Sequence, residues 1–257
     1  MPRLRPCVAS GGEVVTVPAT GPFVAPCSRE AAQWACTAHH YAGGPPAGRM
    51  QPYGCWKDGR FVGAIVFSRG ACKDLARRFG FSQVQAVELT RIALAKHRTA
   101  TTRFVRIALR QLKTANPGLR AVISFSDPMQ SHDGHQHDGT LYRAGNWLFL
   151  GMTHAESLVR VGGEPRHPRT IGSKFHTRSI AWLRANVDPQ AERVITLAKY
   201  RFAMPLTDEA RERLRPYVQP YPKCGGSRDS AAPELLPGED RANRIPPLSL
   251  HEVADVG

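Results

Sequence analysis

Glu88-Leu89-Thr90-Arg91-Ile92-Ala93-Leu94 precedes Thr102-Arg103-Phe104-Val105-Arg106-Ile107-Ala108-Leu109-Arg110-Gln111-Leu112-Lys113, and then comes Leu119-Arg120-Ala121-Val122-Ile123-Ser124-Phe125-Ser126-Asp127. The first run alternates like a strand, with Glu88, Thr90 and Arg91 as its polar members. The second has a helical period: Arg103, Arg106, Arg110 and Lys113 share one face, and Phe104, Val105, Ala108, Leu109 and Leu112 the opposite one. The third is apolar enough to be a central strand. Downstream, Thr140-Leu141-Tyr142-Arg143-Ala144 predicts a short helix and Trp147-Leu148-Phe149-Leu150-Gly151 another strand. Strand, helix, strand, short helix, strand is an α/β pattern, with a central sheet flanked by helices. Sites in open α/β sheets lie beside the carboxyl ends of strands, which is where Asp127 falls.

Working outward, Lys57-Asp58-Gly59-Arg60 separates Tyr53-Gly54-Cys55-Trp56 from Phe61-Val62-Gly63-Ala64-Ile65-Val66-Phe67. Asp-Gly between two apolar runs predicts a hairpin, so the sheet is mixed. Ser28 is placed to cap a helix that runs into His39-His40-Tyr41 and stops at Gly43-Gly44-Pro45-Pro46. Residues 68 to 83 read as a loop around a short helical turn. Beyond Gly151 come a strand, a loop through Gly162-Gly163-Glu164-Pro165, and a short helix near residues 178 to 185. Val194 to Met204 reads as a helix running into a strand, and Thr207 to Leu214 as a capped helix closed by Pro216. The expected organisation is an N-terminal arm over 1–27, one large α/β domain over 28–222, and a disordered tail over 223–257, where Pro, Gly, Ser and charge replace apolar periodicity.

The chain has 257 residues, with 35 Lys and Arg against 21 Asp and Glu, a formal charge of +14. The stretch from Leu89 to Ser126 holds eight basic residues and no acidic one, which favours a polyanionic partner, most often nucleic acid, over a merely solvated surface. The six cysteines form no C-x-x-C pair, which argues against a zinc ribbon or a redox dithiol. No signal-peptide pattern is visible and the longest apolar run is too short for a bilayer, so the expected setting is the cytoplasm, with no membrane partner. No G-x-S-x-G, P-loop or deaminase P-C-x-x-C is present.

Four stretches could carry chemistry. His39-His40-Tyr41 is a capping or solvated group on one reading and functional on another. Ser126-Asp127-Pro128 is a turn former or a strand-end acid. His132-Asp133-Gly134-His135-Gln136-His137-Asp138 could bind a divalent metal or be a polar loop, since no strict ligand spacing supports a site. Lys96-His97-Arg98-Thr99-Ala100-Thr101-Thr102 opens the basic helix, and backbone N–H groups with flanking cations make a seat for phosphate. Arg91, Lys96, Arg98, Thr102 and Arg103 are accordingly donor or phosphate candidates, and Arg106, Arg110 and Lys113 are DNA-backbone candidates.

Gly63-Ala64-Ile65-Val66-Phe67-Ser68-Arg69-Gly70-Ala71, Glu88 to Leu94, Ser124-Phe125-Ser126-Asp127-Pro128 and Gly139-Thr140-Leu141-Tyr142-Arg143-Ala144-Gly145-Asn146-Trp147 together resemble the Mom DNA-modification proteins of Mu-like bacteriophages. The resemblance spans about residues 30 to 155 and continues more weakly to Tyr221-Pro222-Lys223. It implies a GNAT-like fold and transfer of a carbamoylmethyl (acetamido) group to adenine N6 of DNA, which protects phage DNA from host restriction. It also implies functional roles for His40, Tyr41, Asp127 and Tyr142, with Glu88, Arg91, Ser124 and Asn146 in support. An iron requirement, Fe(2+), follows from the same resemblance, with His40 and Tyr41 as its ligands. In this sequence the loop after Asp127-Pro128 is longer and richer in His than the family pattern. The 96–102 loop lacks the glycines with which typical GNAT-like enzymes cradle a CoA pyrophosphate.

The expected reaction has Asp127 orienting or deprotonating the N6 amine and Tyr142 acting as acid or stacking on a flipped base. A carbamoylmethyl group and a glycyl amide on N6 are isomers, so the acyl donor is glycyl-tRNA or acetyl-CoA, with double-stranded DNA and tRNA as partners and a homodimer allowed. Two rival readings are a non-catalytic basic DNA-binding protein of the same fold and a CoA-dependent acetyltransferase acting on another substrate.

Overall fold

The computed structural model of the protein describes residues 16 to 221, except 47, 70–74, 128–130, 133, 134, 137, 156 and 197, and no side chains over 131–137. The expected tail and the first fifteen residues of the arm lie outside the described residues. In chain order the elements are β1 (Pro22–Pro26), α1 (Arg29–His39), β2 (Met50–Lys57), β3 (Arg60–Ser68), β4 (Ala86–Leu94), α2 (Thr101–Ala115) and β5 (Ala121–Ser126). Then follow β6 (Ser131–His132), β7 (His135–Gln136), α3 (Thr140–Ala144), β8 (Leu148–Met152), β9 (Ser157–Val161), β10 (Glu164–Arg166), α4 (Pro168–Phe175), α5 (Ile180–Asn186), β11 (Glu192–Ile195), β12 (Tyr200–Pro205) and α6 (Asp208–Leu214).

Seven strands form one mixed sheet in the order β1-β2-β3-β4-β5-β12-β8. Only β4 and β5 run parallel, joined by α2; every other neighbouring pair is antiparallel. The β2–β3 hairpin turns at Asp58 and Gly59, both at positive φ (50° and 73°), which is the turn that matches strand twist. Asp58 also accepts the Gly21 N–H at 2.8 Å, tying the approach to β1 to the hairpin. Residues 22–26, which the sequence places in a free arm, are the edge strand β1, because Val24 is buried in the main core. A five-residue strand flanked by prolines carries too little alternation to be seen in isolation.

Phe104, Val105, Ala108, Leu109 and Leu112 of α2 pack on Ile65, Phe67, Leu89, Val122 and Phe202. Burying each large side chain is worth about 1.5–3 kcal/mol, so this face sets the strand–helix–strand unit. On the other face of the sheet, α1 lays Ala32, Ala35 and Cys36 on Ala64, Val66 and Ala93, and α6 places Ala210 and Leu214 against Ile123 and Ala203.

The expectation of a helix around Val194 is wrong. Residues 192–195 are β11, paired antiparallel with β9, and with β10 they make a separate three-stranded sheet. Val159, Val161, Ile171, Leu183 and Ala191 form its own small core with α4 and α5. This module is an excursion between β8 and β12, which are neighbours in the large sheet. Its base is closed by Thr153 N–H to the Lys199 carbonyl (2.8 Å) and Lys199 N–H to Thr153 Oγ1 (2.9 Å).

Candidate active site

The parallel ladder between β4 and β5 ends at Leu89 and Ser124, although β4 continues to Leu94 and β5 to Ser126. The two strands part there and leave a slot through the sheet. A chain of hydrogen bonds closes its apex. Ser124 Oγ lies 2.8 Å from the Leu89 carbonyl and 2.7 Å from the Tyr142 hydroxyl. The carbonyl can only accept, so Ser124 donates to Leu89 and Tyr142 donates to Ser124. The Tyr142 ring stacks on Phe202 (4.6 Å between centroids, 16° between planes) and meets Trp147 edge-on at 5.2 Å. Burial pushes the Tyr142 hydroxyl up to about 12 against the opposing effect of the Ser124 bond.

One extra residue in β4 sets what faces the slot. Opposite β3 the register jumps between Phe67↔Leu89 and Val66↔Arg91, so Thr90 is bulged, its Oγ1 held by the Val66 carbonyl at 3.0 Å. A bulge reverses strand alternation. Leu89, Ile92 and Leu94 therefore all join the α2 core, whereas Ala93 faces α1. Arg91 swings the same way as Ala93, where its Nε donates to the Gly44 carbonyl at 3.1 Å and its Nη1 to the Thr90 carbonyl at 2.8 Å.

The resulting cleft, about 330 Å³, is lined by His40, Tyr41, Arg91, Lys96, His97, Thr101 and Tyr142 with apolar walls from Leu89, Ile92, Leu94 and Phe125. His40 and Tyr41 arrive on the turn that ends α1, their rings 4.3 Å apart, with His40 Nδ1 accepting the Ala42 N–H at 3.1 Å. Burial and then the negative charge of Asp127 raise the Tyr41 hydroxyl, against the Arg91 guanidinium. Glu88, on the face opposite Leu89, is pushed up to about 7 by burial, with Arg91 and Lys199 opposing. Glu88, Asp127, Tyr41 and Arg91 thus form one electrostatically connected group at the mouth, and Tyr142 feels both Tyr41 and Glu88.

Of the residues expected from sequence, His40, Tyr41, Arg91, Lys96 and Tyr142 line the cleft, Ser124 closes its apex, and Glu88 and Asp127 act on it electrostatically. Arg98 and Arg103 are exposed and do not line it. Thr102, Arg106, Arg110, Lys113 and Asn146 line a different groove, about 360 Å³, between α2 and the β12–α6 turn. Asn146 serves the chain reversal after α3, at φ 59°, rather than the site. His97 is a site residue that the basic run conceals. It lines the cleft with its ring 5.1 Å from Phe104, and its buried Nδ1 has no hydrogen-bond partner among the described residues.

The ligand set suggested for iron does not fit. Burial and Asp127 favour the protonated Tyr41, and among the described residues no three His, Cys, Asp or Glu side chains converge. His132 and His135 lie on the two-residue hairpin β6–β7, and their side chains, with all of His137, lie outside the described residues. Among the described residues no helix is long and apolar enough to cross a membrane.

No curated protein matches the chain. Several solved structures resemble it loosely. A Bacillus subtilis acetyltransferase in complex with CoA is 12% identical, with 62% of this chain and 78% of that one covered and a TM-score of 0.33. An IAA acetyltransferase from Bacillus cereus is 12% identical, with 72% and 100% covered and a TM-score of 0.35. A GNAT family acetyltransferase from Elizabethkingia anophelis with acetyl-CoA bound is 10% identical, with 72% and 98% covered and a TM-score of 0.33. The pattern of the Mom protein family matches residues 22–223, and the chain belongs to that family.

Proposed function

We propose that this transferase modifies adenine N6 in DNA by acyl transfer in the slot where β4 and β5 part. The single observation that carries the reading is that slot, lined by the first turn of α2, with Glu88, a carboxylate raised to about 7, one pair inside the end of the ladder. An exocyclic amine is a poor nucleophile and needs a base whose proton affinity is matched to neutral pH. Glu88 has that affinity. Asp127, expected from sequence to orient or deprotonate the amine, adds its negative charge to burial in raising the Tyr41 hydroxyl.

In this reading a flipped adenine enters on the α1 side, against His40 and Tyr41, and the donor enters along the unpaired edge of β4. Its phosphates lie toward Lys96 and the N-terminal turn of α2, and His97 Nδ1 meets a polar donor atom. N6 forms a bond to the donor's carbonyl carbon. The carbon–oxygen bond of a tRNA ester, or the carbon–sulfur bond of a thioester, breaks, and the leaving atom takes up the proton that the amine gives to Glu88. Glu88 receives the amine proton. A glycyl unit on N6 is an isomer of a carbamoylmethyl group, reached by rearrangement when the glycyl amine bonds to C6 as the C6–N6 bond breaks, whereas an acetyl unit lacks the nitrogen. Glycyl-tRNA is therefore the favoured donor.

The test is mass spectrometry of nucleosides from plasmid DNA after expression of the full chain, together with incubation of purified protein with DNA and either donor. Adenosine heavier by one glycyl residue, formed with glycyl-tRNA alone, is the expected result. Efficient modification from acetyl-CoA without tRNA overturns the donor. Unmodified DNA under all conditions overturns the transfer to adenine.

A further inference from the structure

We propose that the module over residues 157–195 is a docking surface for duplex DNA, separate from the cleft; this rests on DNA being the acceptor.

The large sheet does not need this module. β8 and β12 are antiparallel neighbours, and the excursion leaves and rejoins them at the doubly hydrogen-bonded pair Thr153 and Lys199. What has been inserted is a three-stranded sheet and two helices joined by a four-residue turn, with their own apolar centre. Its outward surface carries the information.

Between 157 and 195 there are seven Arg or Lys against three Asp or Glu, a surplus of four. Each acid but one is already engaged. Asp188 accepts the Gly162 and Gln190 N–H groups at 2.7 and 2.9 Å, and Glu192 is ion-paired with Arg160. Only Glu164 remains as an exposed carboxylate, whereas Arg166, Arg169, Lys174, Arg178, Arg184 and Arg193 are all exposed. Among the described residues none of those six cations is in an ion pair. Arg166 and Lys174 stand with Arg160 around a recess of about 510 Å³, whose lining also includes the engaged Asp188 and Glu192.

A charge surplus alone is often only a solvated face. Here an exposed aromatic ring belongs to the same basic segment: Trp182, 42% exposed, stands on α5 four residues after Arg178. An exposed indole in a basic segment suits phosphates with a sugar or base edge beside them, and it does not suit water. An acidic peptide would satisfy the charge, but it would leave the indole unmatched unless it carried its own apolar anchor. A single phosphorylated ligand would use the recess and leave Arg169, Arg178 and Trp182 idle. Duplex DNA uses both. The module therefore holds the duplex while the cleft takes one base out of it, which suits an enzyme whose cleft admits only that base.

The experiment uses the full-length chain and a labelled 30-base-pair duplex, with anisotropy followed over a range of NaCl concentrations. The variant Arg169→Gln/Lys174→Gln/Arg178→Gln should bind at least about tenfold more weakly and lose roughly three units of salt slope if each cation meets a phosphate. Trp182→Ala should weaken binding several-fold with the slope unchanged. All four positions are exposed, so the thermal midpoint should not move, and a measured midpoint separates misfolding from weakened docking. Unchanged affinity and slope overturn the proposal. A loss confined to tRNA, with duplex binding intact, also overturns it and assigns the module to the donor. If the wild-type protein leaves DNA unmodified yet the triple variant loses duplex binding as described, the docking surface stands and the transferase reading falls.

Discussion

The β4–α2–β5 unit and the excursion between β8 and β12 carry positive charge in opposite ways. In α2 the apolar face is part of the main core, the first turn lines the cleft, and the cations line a groove along one side. Packing and site therefore share the same fifteen residues. The excursion keeps a small core of its own and leaves its charged surface unconnected to the cleft. A change in the first unit should strike stability and chemistry together, whereas a change in the second should reach only the handling of large substrates. That separation can be broken experimentally.

The largest expected effect lies at the slot. Glu88→Gln removes the proposed base and should lower modification about 10²–10⁴-fold while DNA binding is kept. The pH dependence has a defined sign. Only the carboxylate can accept the proton, so wild-type activity should rise with pH through about 7. Stability runs the other way. The folded value, about 7, exceeds the ordinary 4.5, so this group's contribution is lost as pH climbs from about 4.5 to 7. Glu88→Gln should therefore gain stability relative to wild type above pH 7, by no more than about 3 kcal/mol. A variant with near wild-type modification, or a flat pH profile, removes Glu88 from the reaction.

Next come two core truncations. Phe104→Ala empties a fully buried site beneath α2 and beside His97, and should cost about 3–5 kcal/mol, with activity falling in parallel. Leu183→Ala empties an equally buried site in the small core and should cost about 2–3 kcal/mol, read as reduced hydrogen-exchange protection confined to residues 157–195. If Leu183→Ala instead lowers protection across the whole sheet, the excursion is not an independent module.

What can be read from the sequence follows the same division. Thr101 to Ala115 is long and strongly periodic, so helix, face and end are all visible, and Asp58-Gly59 declares its hairpin. Ser28 and Thr207 announce their helices, and each does accept the expected N–H. The elements of the excursion are three to eight residues long, shorter than a period can establish, and β11 reads as helix because its pairing partner, β9, lies over thirty residues away. The site is half legible. The family resemblance implies His40, Tyr41, Asp127 and Tyr142, but the bulge at Thr90 that turns Arg91 toward Gly44 is a property of register and leaves no local mark. For the same reason Glu88 reads only as a supporting residue. Its raised proton affinity comes from burial by segments far away in sequence. Arg98, Arg103 and Asn146 look equivalent to their neighbours in a linear stretch, and only the turn of the helix and the left-handed residue after α3 separate them from the cleft.

A smaller effect is expected on the α2 groove. Replacing Arg106, Arg110 and Lys113 together by Ala should weaken binding of any DNA sequence and reduce the salt slope by about one unit for each phosphate no longer neutralised. Lys113 also donates to the Leu206 carbonyl, so its share should be partly structural. Comparing this variant with the charge variant of the excursion ranks the two basic surfaces. If the groove variant alone abolishes duplex binding, α2 rather than the excursion holds the duplex.

The smallest effect is the most discriminating for Tyr142. In Tyr142→Phe the ring keeps its stack on Phe202 and its edge-on approach to Trp147, and only the hydroxyl is removed. Ser124 still donates to the Leu89 carbonyl, so the last rung between β4 and β5 survives with one acceptor lone pair left empty. That should cost about 1 kcal/mol of stability and a few-fold in modification, because the proton removed was directed at Ser124 and away from the substrate. A hydroxyl held near 12 does not release its proton at neutral pH, so the pH profile should keep its shape. Tyr142→Ala should cost far more, since the ring fills the apex. If Tyr142→Phe instead abolishes modification with stability unchanged, the Ser124 bond must break during the reaction and Tyr142 is the acid that protonates the leaving group.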